Sequence, residues 1–317
     1  MGMEYITQRA VIGSYFKALS QSDGAGWINL VSNYFQSDQE SERYAWLGQS
    51  PAMREWVGGR NAKGLNESSF AIRNIHYEAT IDILKRNLRR DKSGQAMVRI
   101  AELAQRANSH WASLLSTLIA AGAATDCYDG QYFFDTDHSE GDSGTQSNDI
   151  SVDISGLPVA TAGTTTAPSV AEFQLCVALA IQAIVGFKDN QGEPMNENAR
   201  SFLVYVPVSL WNTALTAMAT PAQVAETQTA LQGLKGGGFN IDVAVDPRSA
   251  WTANFAVFRT DSAIKSFIRQ EEQAAHLAMK WLDSEYCFDN DAVQIGVDSW
   301  RNVGYGYWQN SCLVTMT

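Results

Sequence analysis

Residues Ser93 to Gly122, SGQAMVRIAELAQRANSHWASLLSTLIAAG, decide how the rest of the chain is read. Apolar residues recur at Met97, Ile100, Leu103, Ala107, Trp111, Leu114, Leu115 and Leu118, the spacing of one buried stripe on a helix. Ser93 is placed to cap the first turn, because its hydroxyl can accept a backbone N–H that has no helical partner. Gly122 is placed to end the helix in the left-handed conformation that a side chain resists. No proline interrupts the run. At 1.5 Å per residue the helix predicts a rod about 42 Å long. No sustained heptad makes it a coiled coil, so it reads as a spine to which other pieces attach.

The whole chain has 317 residues, enough for a large core, and its length predicts two domains. No run approaches the ~18 apolar residues of a membrane span. The first residues, MGMEYITQRAVIGSYFKALS, lack the basic start, apolar middle and cleavage site of a signal peptide. Ile6 stands where a myristoylation motif requires Ser or Thr. Lysine and arginine number 23 against 34 acidic residues, a net charge of −11, which argues against a general nucleic-acid binder. Lys85, Arg86, Arg89, Arg90 and Lys92 make one short basic run, read as a solvated face. Cys127, Cys176, Cys287 and Cys312 lack ligand spacing and read as buried thiols in a reducing compartment.

Before the spine, residues 1 to about 20 predict an amphipathic helix carrying Val11, Tyr15, Phe16 and Leu19. Residues 20 to 42 are polar with isolated aromatics at Trp27, Tyr34 and Phe35. Such a segment builds no core of its own and is expected to be disordered alone or to lie as an arm across another surface. Tyr44 to Ile83 predicts a long projecting hairpin, with strand-like flanks and glycines 48, 58, 59 and 64 near its tip. Ala71, Arg73, Ile75, Tyr77, Ala79, Ile81 and Ile83 share one face at a period of two. A projecting hairpin has little core in which to bury Trp46 and Trp56. With Arg54 and Arg60 beside them they read as anchors on a neighbouring surface.

After the spine, Asp126 to Asp142, DCYDGQYFFDTDHSEGD, clusters Asp135, Asp137, His138, Glu140 and Asp142. A calcium loop fails at Glu140, where Gly is needed, and at Gln146, where a bidentate Glu belongs. A metal or acid–base site needs partners for His138 that the sequence does not identify, and a solvated acidic loop is the stronger reading. Residues 143 to 167 read as an irregular link with one strand near Ile150 to Ile154. Ser169 and Glu172 form a capping box for an apolar helix reaching Phe187. Ser201 to Val206 reads as a central strand, with a helix after Pro207 through Met218. Thr220-Pro221 starts a further helix to Gly233. Phe239 to Val245 and Asn254 to Arg259 are strands, and Gly236 to Gly238 is a helix-to-strand turn, since the order of a phosphate loop is absent. From Ala263 onward the pattern is strand-like and is expected to return to the spine. No GxSxG, HExxH, GxGxxG or Walker motif is present, and the four histidines form no catalytic set. His110 reads as a partly buried packing residue.

Tyr44 to Arg60, YAWLGQSPAMREWVGGR, resembles the major head subunits (T proteins) of Mu-like phages. So does Cys127 to His138, CYDGQYFFDTDH, in the same order after a long helix. The resemblance runs over roughly Tyr44 to His138, and YGYWQ at Tyr305 to Gln309 is a shorter similarity. That family consists of major capsid proteins with the α+β, Hong Kong 97-type phage capsid fold. The resemblance implies an N-terminal arm at 1–42 and an extended loop at 43–83. It implies a peripheral domain at 84–140 and 263–317 built on a spine helix at 93–122. A linker at 141–167 and an axial domain at 168–262 complete the set.

The implied function is a major capsid protein that self-assembles into hexamers and pentamers of an icosahedral phage head enclosing double-stranded DNA. The alternative is an encapsulin-like nanocompartment shell enclosing a cargo enzyme. No enzyme activity, cofactor or metal is implied. Trp46, Arg54, Trp56 and Arg60 of the extended loop are the expected intersubunit contacts. Lys63 and Asn66 read as ordinary surface residues rather than partners in a cross-link. Expected partners are the chain itself, a scaffolding protein, a maturation protease, a portal protein, a decoration protein and packaged DNA bound without sequence specificity. The expected place is the virion capsid, assembled in the bacterial host cytoplasm. The chain begins almost at the arm, so a separate scaffolding protein or prior cleavage is also expected.

Overall fold

The computed structural model describes residues 7–21, 24–44, 70–90, 94–157, 163–219 and 237–317. Helix α1 spans Gln8–Gln21 and turns Val11 and Tyr15 inward. A single turn, α2 (Ile28–Val31), leads into β1 (Ser32–Gln36) and then β2 (Ser41–Arg43). Next come β3 (Ala71–Arg73), β4 (Ile75–Leu84), the basic turn α3 (Lys85–Arg90) and the long helix α4 (Gln95–Ala120). β5 (Asp149–Val152), α5 (Val170–Gly186), β6 (Ser201–Pro207), α6 (Trp211–Ala219), β7 (Asn240–Asp246) and β8 (Asn254–Arg259) follow. The last elements are β9 (Phe267–Lys280), α7 (Glu285–Asn290), β10 (Ala292–Tyr305), a 3₁₀ turn at Trp308–Asn310 and β11 (Ser311–Met316).

Three sheets result among the described residues. A four-stranded sheet runs β1-β9-β10-β4, with β10 antiparallel to both neighbours and β1 parallel to β9. A five-stranded mixed sheet runs β5-β11-β8-β6-β7. The small pair β2–β3 joins Ser41 to Arg73 and Arg43 to Ala71, antiparallel. β6 is buried on both faces, as expected of a strand flanked by β8 and β7. β10 alternates instead: Val293, Ile295, Val297, Ser299 and Arg301 face inward, because only one face of its sheet is covered.

α4 is about 39 Å long at its 26 residues and threads both cores. Its first half sends Ile100, Leu103 and Ala104 against Val11 and Tyr15 of α1 and Ile295 and Val297 of β10. Its second half sends Ala112, Leu115 and Ile119 into the larger core with α5 and the five-stranded sheet. Buried Asp246 on β7 accepts hydrogen bonds from Ser116 of α4 and Tyr205 of β6, tying the helix to that sheet.

The expected α+β make-up, the capping box at Ser169 and Glu172 and the central strand at Ser201 all stand in the structure. Several local readings change. Ser93 lies outside the described residues, and Gly94 takes the position before α4 at φ 73°. Gly122 does not adopt positive φ. Glycine is required there because a Cβ would sit 2.6 Å from the buried Phe134 ring. The polar arm reaches a core after all: Trp27, Ile28 and Val31 join the larger one, with Trp27 edge-on to Tyr205 at 5.2 Å. The period-two face breaks at Asn74, whose buried side chain bonds Ser37 and the Gln39 carbonyl. Beyond that break Ile72, not Ala71 or Arg73, faces inward. The run after Ala263 is interrupted by α7. β5 and β11 both enter the five-stranded sheet, pairing in parallel from Leu313 and Asp149 onward. The helix expected from Thr220 to Gly233 falls outside the described residues.

Candidate functional site

β10 leaves the four-stranded sheet at Tyr305, and β11 enters the five-stranded sheet at Ser311. The crossing residues, Tyr305 to Asn310, are all buried. Gly306 lets the turn press against the backbone of Lys265 and Ser266, where any Cβ would collide. Its N–H bonds the Ser266 carbonyl at 2.8 Å. The loop that follows α4 packs directly onto this crossing. Phe133 stacks on Tyr305 at 4.5 Å, Tyr128 meets Tyr307 edge-on at 5.9 Å, and His138 stacks on Trp308 at 3.9 Å.

Polar groups complete the junction. Asp129 Oδ2 lies 2.7 Å from His138 Nδ1, and Asn148 Oδ1 lies 3.2 Å from Nε2. The Asn148 amide has one consistent orientation. Its Nδ2 donates to the Phe133 carbonyl at 2.8 Å, and its Oδ1 accepts the Asp135 N–H at 2.9 Å. Both ring nitrogens of His138 therefore face oxygens that can accept, the nearer being the Asp129 carboxylate. Glu140 Oε1 accepts from the Tyr128 hydroxyl at 2.6 Å, Trp308 Nε1 at 3.2 Å and Gln309 Nε2 at 3.1 Å. Buried Asn196 donates to the carbonyls of Ile184 and Gln309, both at 2.7 Å, and its Oδ1 accepts from Arg259 at 2.8 Å. The crossing is thus held from the loop after α4 and from the end of α5.

Burial opposes ionisation of Asp129, yet hydrogen bonds from His138 and Cys127 outweigh it and hold the carboxyl below its usual range. Burial pushes Glu140 up, and the Asp129 charge adds to that, against the bonds it accepts. Burial, then the Asp129 charge, pushes the Cys127 thiol up, which leaves it unreactive.

This replaces the solvated acidic loop. His138 is wholly buried and Glu140 is largely so, whereas Asp137 and Asp142 alone of the five point to water in full. Asp135 bonds the backbone N–H groups of Tyr132 and Thr136. Cys127, Asp129 and His138 converge within 4.8 Å and invite a metal reading. Their separations are those of hydrogen bonds, 2.7 Å from N to O and 3.0 Å from S to O. Ligands of one tetrahedral zinc would stand about 3.3 Å and about 3.6 Å apart for those pairs. The thiol donates to Asp129 and not to His138, so no Cys–His nucleophile pair forms. All four cysteines are free and buried, as their spacing suggested. His110 is half-buried, edge-on to Tyr77 at 4.4 Å. Trp46, Arg54, Trp56 and Arg60 lie outside the described residues. Sequence patterns flagged His138 and Glu140 but missed Asn148, Asn196 and Gln309. Isolated amides carry no periodic signal. The one hint was YGYWQ, too apolar and aromatic for an exposed turn.

A family profile, the Mu-like prophage major head subunit gpT, matches residues 8–159 and 237–316. The Mu-like prophage FluMu major head subunit of Haemophilus influenzae is 35% identical over 111 residues, 35% of this chain and 36% of that protein. The major capsid protein of Escherichia phage Mu is 30% identical over 144 residues, 43% of this chain and 47% of that protein. The chain thus spans less than half the length of each of these relatives in the matched stretches. Among solved structures, the procapsid of bacteriophage JBD30 aligns with a TM-score of 0.54 at 23% identity, covering 98% of this chain and 76% of that one. The capsid of Cyanophage P-SCSP1u aligns with a TM-score of 0.54 at 11% identity, covering 93% and 89%. At such identities the likeness is one of fold, and the fold is the Hong Kong 97-type phage capsid fold. The two stretches that stack at the sheet crossing, Cys127 to His138 and Tyr305 to Gln309, both fall inside the profile match, which covers more than half of the chain; the chain belongs to the Mu-like prophage major head subunit gpT family.

Proposed function

We propose that this chain is the major capsid protein of a phage head, assembling into hexamers and pentamers of an icosahedral shell around double-stranded DNA. Family membership joined to a phage capsid fold carries the reading, and it favours a head over a nanocompartment. In this reading the chain works by geometry and carries out no enzymatic step. A closed shell needs heterologous contacts, in which unlike surfaces of successive copies meet. Residues 1–42 are assigned to the arm and 43–83 to the extended loop. The peripheral part is assigned to 84–140 and 263–317, the linker to 141–167 and the axial part to 168–262. Trp46, Arg54, Trp56 and Arg60 are assigned to contacts with a neighbouring copy. Each contact can be weak because every copy makes several at once. Scaffolding, protease, portal and decoration proteins are the further partners of this reading, in the bacterial cytoplasm. The net charge of −11 limits DNA contact to weak, sequence-independent binding.

Expression of the full chain, followed by negative-stain electron microscopy and light scattering, tests this. Rings, tubes or shells of repeating capsomers are expected. A chain that stays monomeric or dimeric even with the cognate scaffolding protein present would overturn the reading.

A further inference from the structure

Two guanidinium groups pack against the ring of Trp111 on the spine helix. Arg301 of β10 lies 4.9 Å from the ring centroid and Arg269 of β9 lies 5.6 Å from it. Arg301 is only 3% exposed, and Arg269 Nε is buried with no hydrogen-bond partner among the described residues. Among the described residues a single carboxylate, Glu271, stands near both. Its Oε1 is 3.8 Å from Arg301 Nε, beyond hydrogen-bond distance, and its Oε2 accepts the Tyr34 hydroxyl. Arg301 donates from Nε to Ser299 Oγ at 2.8 Å and weakly from Nη1 to the Ala107 carbonyl at 3.4 Å. Among the described residues its Nη2 has no hydrogen bond. Among the described residues, buried Arg301 and half-buried Arg269, which also donates to Asn29 Oδ1 at 2.7 Å, thus share one carboxylate, in a chain that is acidic overall. Charge withdrawn from water demands a counter-charge at close range.

Arg301 also lines a cavity of about 220 Å³ between α4 and the four-stranded sheet. Tyr77, Arg106, His110 and Ser299 line it too, and among the described residues Glu78 is its one carboxylate. Glu78 is exposed and already accepts the Thr80 hydroxyl at 2.6 Å. Arg106, at the exposed rim, is paired with Glu102 at 3.0 Å. Burial, then the Arg301 charge, pushes His110 down to about 4, so the ring adds no charge at neutral pH. Ser299 Oγ accepts from Arg301, which leaves its own proton to donate into the space. A water's share of the liquid is about 30 Å³, so a four-oxygen anion fits with water to spare.

We propose that this cavity is a binding site for a small oxyanion of the phosphate class, held by Arg301 with the Tyr77 and Ser299 hydroxyls. The bound anion supplies the charge that Glu271 alone does not, and fastens the spine helix to the sheet. The site rests on residues of one chain and is independent of the shell reading. A ligand that binds the folded chain alone raises its melting temperature with concentration.

Full-length chain, in whatever assembled state it adopts, is titrated with sodium phosphate against sodium chloride at equal ionic strength, by calorimetry and thermal melting. A one-to-one binding heat is expected, with a melting temperature that climbs with phosphate and not with chloride. Tyr77→Phe should weaken binding several-fold while melting normally without phosphate; Ser299→Ala should weaken it too, from a lower starting melting temperature because it also takes the acceptor from Arg301 Nε. Arg301→Gln should abolish it, and if that variant fails to fold, the two hydroxyl variants carry the test. Identical responses to phosphate and chloride would overturn the proposal. So would binding that survives both hydroxyl variants but disappears on replacing the exposed Arg86 and Arg89 of α3.

Discussion

His138 sits at zero exposure between a carboxylate, an amide and an indole face. A polar ring is stable there only because each nitrogen has a partner. His138→Ala takes a hydrogen-bond partner from Asp129 and from Asn148 at once and leaves the buried Asp129 Oδ2 without its partner, with only the Cys127 thiol and the Gln131 N–H on Oδ1. The expected loss is about 3–5 kcal/mol, read from urea unfolding midpoints; a loss below about 1 kcal/mol would mean that the junction does not carry the fold. His110 makes a second prediction. Its folded value is pushed down to about 4 by burial and Arg301, from an ordinary value of 6.5. Between those values the unfolded chain binds the proton and the folded chain does not. The contribution is therefore present above pH 6.5 and is lost as pH falls toward about 4. In His110→Phe the fall in stability across that window should be shallower, and unchanged slopes in urea titrations at several pH values would contradict the assignment. Neither His138's partners nor His110's surroundings can be read from neighbours in the chain. Asp129 is close in sequence, but Asn148, Trp308 and Arg301 arrive from elsewhere.

Elements differ in how local their causes are. Helix α5 was legible because its start is written within four residues: Ser169 accepts the Glu172 N–H at 3.3 Å and Glu172 accepts the Ser169 N–H at 2.7 Å. Ser169→Ala should cost about 1 kcal/mol in thermal or urea unfolding. α4 was legible from its apolar spacing, but the stripe alone did not show that its two halves serve two cores. The buried set moves from Ala96, Ile100 and Leu103 to Ala112, Leu115 and Ile119, following whichever layer lies opposite. α7 was not legible. It has six residues, its one buried side chain is Cys287, and Phe288 is 89% exposed, so no stripe exists to detect. Packing of α1 on α4 leaves the Tyr15 hydroxyl buried with no partner among the described residues. Removing an unsatisfied polar atom relieves its desolvation cost. Tyr15→Phe should therefore keep or raise stability, by up to about 1 kcal/mol; a clear loss on thermal unfolding would point to a partner for that hydroxyl.

At the scale of the whole molecule, the reading as a shell subunit separates folding from assembly. Trp56→Ala should leave the subunit folded, with unchanged circular dichroism and melting, while shells become unstable or fail to form under electron microscopy. Normal, stable shells from that variant would remove Trp56 from the contact. The sequence by itself determined the family, through two stretches of specific residues, and the elements whose signals are local: the spine helix, the capped helix α5 and the central strand β6. Periodicity, caps and turns act over a few residues, so they are readable before any fold is known. Tertiary structure alone decided that the acidic loop turns inward, that Trp27 enters a core, and that two arginines share one carboxylate. Those outcomes depend on groups brought together from far apart, as when Trp308 reaches Glu140 across 168 residues. Whether a charge meets water or a partner is set by what arrives beside it, and a linear pattern holds no record of that.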